Sequence, residues 1–196
     1  MLQKHQSTTV SFLLDSSGSM SSVHKETVEG VNDFINELKK DPSETILRLQ
    51  TFNSDNFNVS FDFANINEIP EMKDSNFTPE GMTPLLDSVG RAINETHKFI
   101  ESNNRDHSQV IFTVMTDGIE NYSTEFSIPQ VTKMIAEKEE LGWSFKYMGA
   151  NHDVWSVANK FGIKPQNVHK YEGANPKEAF MHSAKDLISM KKNWRR

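Results

Sequence analysis

Two short apolar runs in this chain each break off at an aspartate. Val10-Ser11-Phe12-Leu13-Leu14 stops at Asp15-Ser16-Ser17-Gly18-Ser19, and Val110-Ile111-Phe112-Thr113-Val114-Met115-Thr116 stops at Asp117-Gly118. A run this short, apolar throughout and closed by a turn, reads as a strand buried on both faces. Between the runs, apolar residues recur at helical spacing: Val28, Val31, Ile35 and Leu38 within 23–39, then Leu85, Val89, Ala92, Ile93, Thr96 and Ile100 within 83–102. Buried strands alternating with one-sided helices predict a parallel sheet wrapped by crossover helices.

The rest of the chain extends that pattern. Residues 45–52 alternate, Asn53-Ser54-Asp55-Asn56 is a turn, and residues 57–63 alternate again with Phe57, Val59, Phe61 and Phe63 on one face. Four residues cannot make a parallel crossover, so these two strands form a hairpin and supply one antiparallel edge strand. Residues 65–79 are irregular. Strand 109–116, helix 128–141, strand 144–149, a short helix near 154–161, strand 168–171 and a final helix 176–190 follow. The predicted fold is α/β and doubly wound, a mostly parallel six-stranded sheet with helices on both faces. One domain over 1–196 is expected, with its core at about 8–190 and a basic tail at 191–196.

Composition narrows the function classes. The chain has 196 residues, 36% hydrophobic and 24% charged, enough for a sizeable core. A formal net charge of −6 argues against general nucleic-acid or anionic-membrane binding. The absence of cysteine excludes disulfides, thiolate zinc sites and cysteine nucleophiles. No apolar run nears the ~20 residues of a spanning helix, and Met1–Gln6 has no apolar leader core. These features point to a cytoplasmic protein. Lys191, Lys192, Arg195 and Arg196 read as a helix end favoured by its dipole and a solvated tail.

The chemistry sits where the strands end. Asp15, Ser17 and Ser19 place one carboxylate and two alternate hydroxyls on a turn, a set of hard oxygen donors suited to Mg²⁺, Mn²⁺ or Ca²⁺ rather than zinc or copper. Gly81-Met82-Thr83-Pro84-Leu85-Leu86 puts another hydroxyl at a helix start. In an open parallel sheet ligands bind at the carboxyl ends of strands, which is where Asp15 and Asp117 stand.

Together these segments resemble the von Willebrand factor type A domain. Asp15-x-Ser17-x-Ser19, then Thr83, then Asp117 match its metal-ion-dependent adhesion site, and the flanking text "LLDSSGSM", "GMTPLLDSV" and "VMTDGIEN" is similar to bacterial and phage members. The stretch Trp143 to Asp153 looks like the penultimate strand and loop of that group. The likeness extends from about Thr8 to about Met190. It implies a divalent ion held by Asp15, Ser17, Ser19, Thr83 and Asp117, with one position left for an Asp or Glu carboxylate of a partner protein. It also implies an intracellular binding role, as an adaptor to an AAA+ ATPase of the MoxR type or as a phage factor acting on a host protein.

Around that set, Asp87 lies about one helical turn beyond Thr83 and, with Glu120 and Asn121, is expected to support the ligands from behind. A solvated helix carboxylate is the bland reading of Asp87, and a surface position that of Glu120. Gly18 and Gly118 are expected to allow turns close to the ion. Met20, Met82 and Tyr122 are expected to rim the partner surface, with loop packing as the alternative. The enzyme alternative is a metal-dependent hydrolase of phosphoesters or peptides. Against it, Ser17 stands where haloacid-dehalogenase-type phosphatases need a second acid. Nucleotide-loop, zinc-protease and serine-elbow motifs are also absent. His152, at a strand edge, reads as a rim residue rather than a general base. A third possibility is that the motif serves folding alone.

Overall fold

The computed structural model describes residues 7–105, 108–150, 153–172 and 175–194; Asn151, His152 and the arginines of the tail lie outside them. Six strands form one sheet: β1 (Thr8–Asp15), β2 (Thr45–Phe52), β3 (Phe57–Asn65), β4 (Gln109–Thr116), β5 (Ser144–Gly149) and β6 (Val168–Lys170), in the order β3-β2-β1-β4-β5-β6. All pairs are parallel except β2 with β3. Among the described residues five α-helices pack around the sheet: α1 (His24–Lys39), α2 (Leu85–Ser102), α3 (Ile128–Glu140), α4 (Val154–Lys160) and α5 (Pro176–Trp194). None of these is long and apolar enough to cross a membrane.

The central strands are apolar on both faces because helices cover both. On one side Phe12 meets Phe34 of α1 edge-on at 5.1 Å and stacks on Phe180 of α5 at 5.6 Å. On the other, Leu13, Val114 and Phe145 pack with Leu85, Val89 and Ile93 of α2 and with Val131 and Ile135 of α3. Each such side chain contributes roughly 1.5–3 kcal/mol on burial. Ser11, the polar break in the β1 run, is matched by the Thr96 hydroxyl of α2 at 3.0 Å.

Two expectations change here. The residues Phe57, Val59, Phe61 and Phe63 do not share a face. β3 slips twice against β2, between the Leu49 and Gln50 pairings and between those of Leu47 and Leu49, and each extra residue turns the strand over. Phe57 thus packs on the α2 side, Phe61 on the α1 side, and Phe63, at φ 47°, stacks on Phe99. At the other end of the chain, α5 runs past Met190, and Lys191 is not solvated tail. It is wholly buried, its ammonium donating to Thr45 Oγ1 at 2.6 Å and pairing with Asp41 at 3.2 Å.

Candidate metal centre

Strand direction brings the predicted residues together. β1 and β4 are neighbours running the same way, so Asp15 and Asp117 leave the sheet side by side. Ser16 accepts at its carbonyl from Glu80 N at 2.9 Å, and Gly18 N donates to the Gly81 carbonyl at 3.1 Å. These bonds tie the first turn to the segment carrying Thr83. Asn53 fixes the same turn from the β2–β3 hairpin, donating from its amide to the Ser16 carbonyl at 3.2 Å.

The five predicted residues are contiguous. The Ser19 hydroxyl donates to Asp117 Oδ1 at 2.6 Å and lies 3.2 Å from that of Ser17. Asp15 Oδ1 accepts from Ser17 N at 2.7 Å, and its Oδ2 accepts from Thr116 Oγ1 at 2.5 Å. Thr83 Oγ1 and Asp15 Oδ2 flank one point: a Cβ added to Gly118 would stand 3.2 Å from the first and 3.8 Å from the second. Asp15, Ser17, Thr83 and Asp117 are buried, while Ser19 is exposed and opens the cluster to solvent.

Two carboxylates meet here without a cation. Among the described residues neither forms an ion pair, whereas the buried Asp41 is paired with the Lys191 ammonium at 3.2 Å. Burial pushes the Asp15 carboxyl up to about 6, against the hydrogen bonds from Thr116 and Ser17, and neighbouring Asp117 adds to the rise. Two acids and three hydroxyls are a donor set for a hard divalent cation, which such a shell leaves incompletely neutralised. Among the described residues no three acid or histidine side chains cluster as a metal site would need them to; here hydroxyls supply most of the donors. The fit to Mg²⁺ or Mn²⁺ is therefore good on chemistry.

Supporting residues act through the loops. Thr83 precedes α2 and is held on both sides by Asn121, whose Oδ1 accepts from Thr83 N at 2.8 Å and whose N–H donates to the Thr83 carbonyl at 3.2 Å. Glu120 accepts from Leu86 N at 2.8 Å and from the N–H groups of Tyr122 and Ser123, so it satisfies an open donor of the α2 first turn. Asp87 is not a solvated carboxylate. It is buried and accepts three backbone N–H bonds, from Thr124, Glu125 and Phe126 at 2.8–2.9 Å. It therefore braces the loop after Asp117 rather than the Thr83 turn.

Met82 and Tyr122 are exposed beside the site, at 44% and 53%. Met20 is not part of the rim. The 3-10 turn at Gly18–Val23 points it inward, and it is fully buried in the core under α1. Gly18 and Gly118 do not need left-handed backbone; Gly81 does, at φ 66°. At Gly118 the requirement is close approach. Thr116, Asn53 and Ser123 join the site only through the fold. Thr116 carries the one usable signal, a hydroxyl immediately before the second aspartate.

A sequence profile for the von Willebrand factor type A domain matches residues 9–185. The chain belongs to that family. Solved structures share the fold at low identity. Proximal thread matrix protein 1 from the mussel byssus superposes with a TM-score of 0.66 at 14% identity, over 95% of this chain and 46% of that one. The manganese-loaded Plasmodium vivax TRAP protein gives 0.60 at 15%, over 92% and 73%. The pilus adhesin SpaC from Lactobacillus rhamnosus GG, in its open conformation, gives 0.70 at 13%, over 95% and 30%. This chain thus spans less than half of the mussel and pilus proteins. No curated protein matches it.

Proposed function

We propose that this domain binds a protein partner through a divalent cation. Asp15, Ser17, Ser19, Thr83 and Asp117 hold Mg²⁺ or Mn²⁺, with Ca²⁺ as a third option, and an Asp or Glu of the partner completes the shell. The observation that carries this reading is the pair of buried carboxylates, Asp15 and Asp117, gathered with three hydroxyls at the open edge of the sheet without a counter-ion among the described residues. A structure of TRAP with manganese and the adhesin role of SpaC support it by analogy of fold. A cation in a hydroxyl-rich shell keeps residual positive charge, so an incoming carboxylate gains strongly once water leaves the interface. Exposed Met82 and Tyr122 supply apolar contact around that point.

Binding rather than turnover is our reading, because the sequence carries no nucleotide-loop, zinc-protease or serine-elbow motif and has Ser17 where a phosphatase of the haloacid-dehalogenase type needs a second acid. We place the protein in the cytoplasm, with a MoxR-type ATPase as the first partner to try. The test is titration calorimetry with Mn²⁺ on the wild type and Asp15→Ala, followed by partner capture in Mg²⁺ and release in EDTA. Loss of both in Asp15→Ala is expected. Equal Mn²⁺ binding by the two proteins overturns the site. A phosphoesterase or peptidase activity that Asp15→Asn abolishes replaces binding with hydrolysis.

A further inference from the structure

Tyr171 ends up at the same edge of the sheet, directly after β6. Its N–H donates to the Gly149 carbonyl at 3.0 Å, and Gly149 is the register partner of Thr116, the residue before Asp117. Its side chain is 6% exposed, within the core cluster that holds Met115, Met148 and Ala150. Among the described residues its hydroxyl has no hydrogen-bond partner. A buried O–H left without a partner costs about 1–3 kcal/mol, and buried tyrosines ordinarily find one. A serine or threonine hydroxyl turns easily toward a nearby carbonyl; a phenol at the end of a packed ring does not. Phenylalanine would fill the same space without stranding a donor.

The phenol also stands in the field of the metal centre. Burial raises its ionisation well above the usual tyrosine range, and Asp117 and then Asp15 raise it further. Both carboxylates are nevertheless engaged elsewhere, Asp117 by Ser19 and Asp15 by Ser17 and Thr116. A donor is therefore left over within electrostatic reach of two acceptors it does not touch. Resting on the metal-binding reading above, we propose that Tyr171 is a positioning residue of the metal centre, its hydroxyl donating a hydrogen bond into the oxygen shell around the cation.

The test is Tyr171→Phe in the full chain, with Mn²⁺ affinity measured by calorimetry and thermal unfolding followed in EDTA and in Mn²⁺. In EDTA the variant should melt at or above the wild-type temperature, because an unpaired hydroxyl has been removed. Its Mn²⁺ Kd should rise about 10-fold, the usual effect of losing an outer partner of a metal site. These two changes have opposite signs, which a packing role cannot produce. An unchanged Kd overturns the assignment, and so does a lower melting temperature in EDTA. If the wild type itself binds no Mn²⁺, the metal reading falls first, and this inference falls with it.

Discussion

Asp15 and Asp41 are both buried carboxylates, at opposite ends of one sheet, and their surroundings push them in opposite directions. At Asp41 burial raises the carboxyl, but the Ser43 hydroxyl, the Ser43 N–H and the Lys191 ammonium together hold it well below the usual range. At Asp15 the hydrogen bonds from Thr116 and Ser17 do not offset burial, and its charged neighbour is another acid, Asp117. The amino end of the sheet thus carries its own counter-ion, delivered by α5. The carboxyl end gathers two acids and leaves the positive charge to be supplied from outside. A buried charge that only holds the fold together is matched within the chain; an unmatched pair at an open edge marks a place for something else.

The largest expected effect breaks the matched end. Lys191→Met leaves Asp41 buried without its ammonium and should destabilise by about 3–5 kcal/mol in urea unfolding. The double variant Asp41→Asn/Lys191→Met should recover much of that loss, because neither charge then remains. If the single variant unfolds like the wild type, Lys191 does not compensate Asp41 and the contrast between the two ends collapses.

The unmatched end should behave in the reverse way. Mg²⁺ or Mn²⁺ at about 100 times its Kd should stabilise the folded chain by about 2.7 kcal/mol, read as a rise in melting temperature. Asp15→Ala should abolish that rise while leaving stability in EDTA unchanged or improved, since it removes one of two repelling acids. A variant that unfolds in EDTA would mean that Asp15 holds the fold rather than an ion.

A smaller effect lies in the acid limb. Because Asp41 is depressed below its ordinary 3.8 in the folded state, its contribution is fully present above that value and is lost as pH falls through it and below. Urea midpoints between pH 5 and 3 should therefore decline more gently in the Asp41→Asn/Lys191→Met protein than in the wild type. Parallel slopes would show that Asp41 is not the depressed group.

The sequence made the carboxyl end legible and the amino end nearly invisible, for a physical reason. Strand ends, turn chemistry and a hydroxyl at a helix start are local signals, so Asp15, Ser17, Ser19, Thr83 and Asp117 are readable where they stand. Lys191 is written next to Lys192 in a basic stretch, and only the docking of α5 reveals that it faces Thr45. Helical spacing places Asp87 behind the Thr83 turn, but the loop it actually braces cannot be read locally, because its three donors come from far along the chain. Met20 misled because a single 3-10 turn decides whether a residue beside the motif faces in or out. The faces of β3 were hidden for a related reason, since two bulges reverse an alternation that continues unbroken in the text.

The finest distinction between the two ends is Gly118→Ala. The φ of Gly118 is not in the left-handed region, so alanine meets no backbone strain, and the gain of about 0.4–1 kcal/mol from restricting the unfolded chain should be largely offset by the new contact, leaving stability in EDTA close to wild type. The new Cβ would stand 3.2 Å from Thr83 Oγ1 and 3.8 Å from Asp15 Oδ2. Thr83 has little room to yield, because Asn121 holds its N–H and its carbonyl together. The methyl should therefore crowd the ligands and weaken Mn²⁺ binding by about 1 kcal/mol, roughly 5-fold in Kd. Thermal unfolding in EDTA beside calorimetric titration separates the two contributions. An alanine variant that binds Mn²⁺ as tightly as the wild type would place the ion away from the point that Thr83 and Asp15 share, and the carboxyl end would lose its claim to be built around a cation.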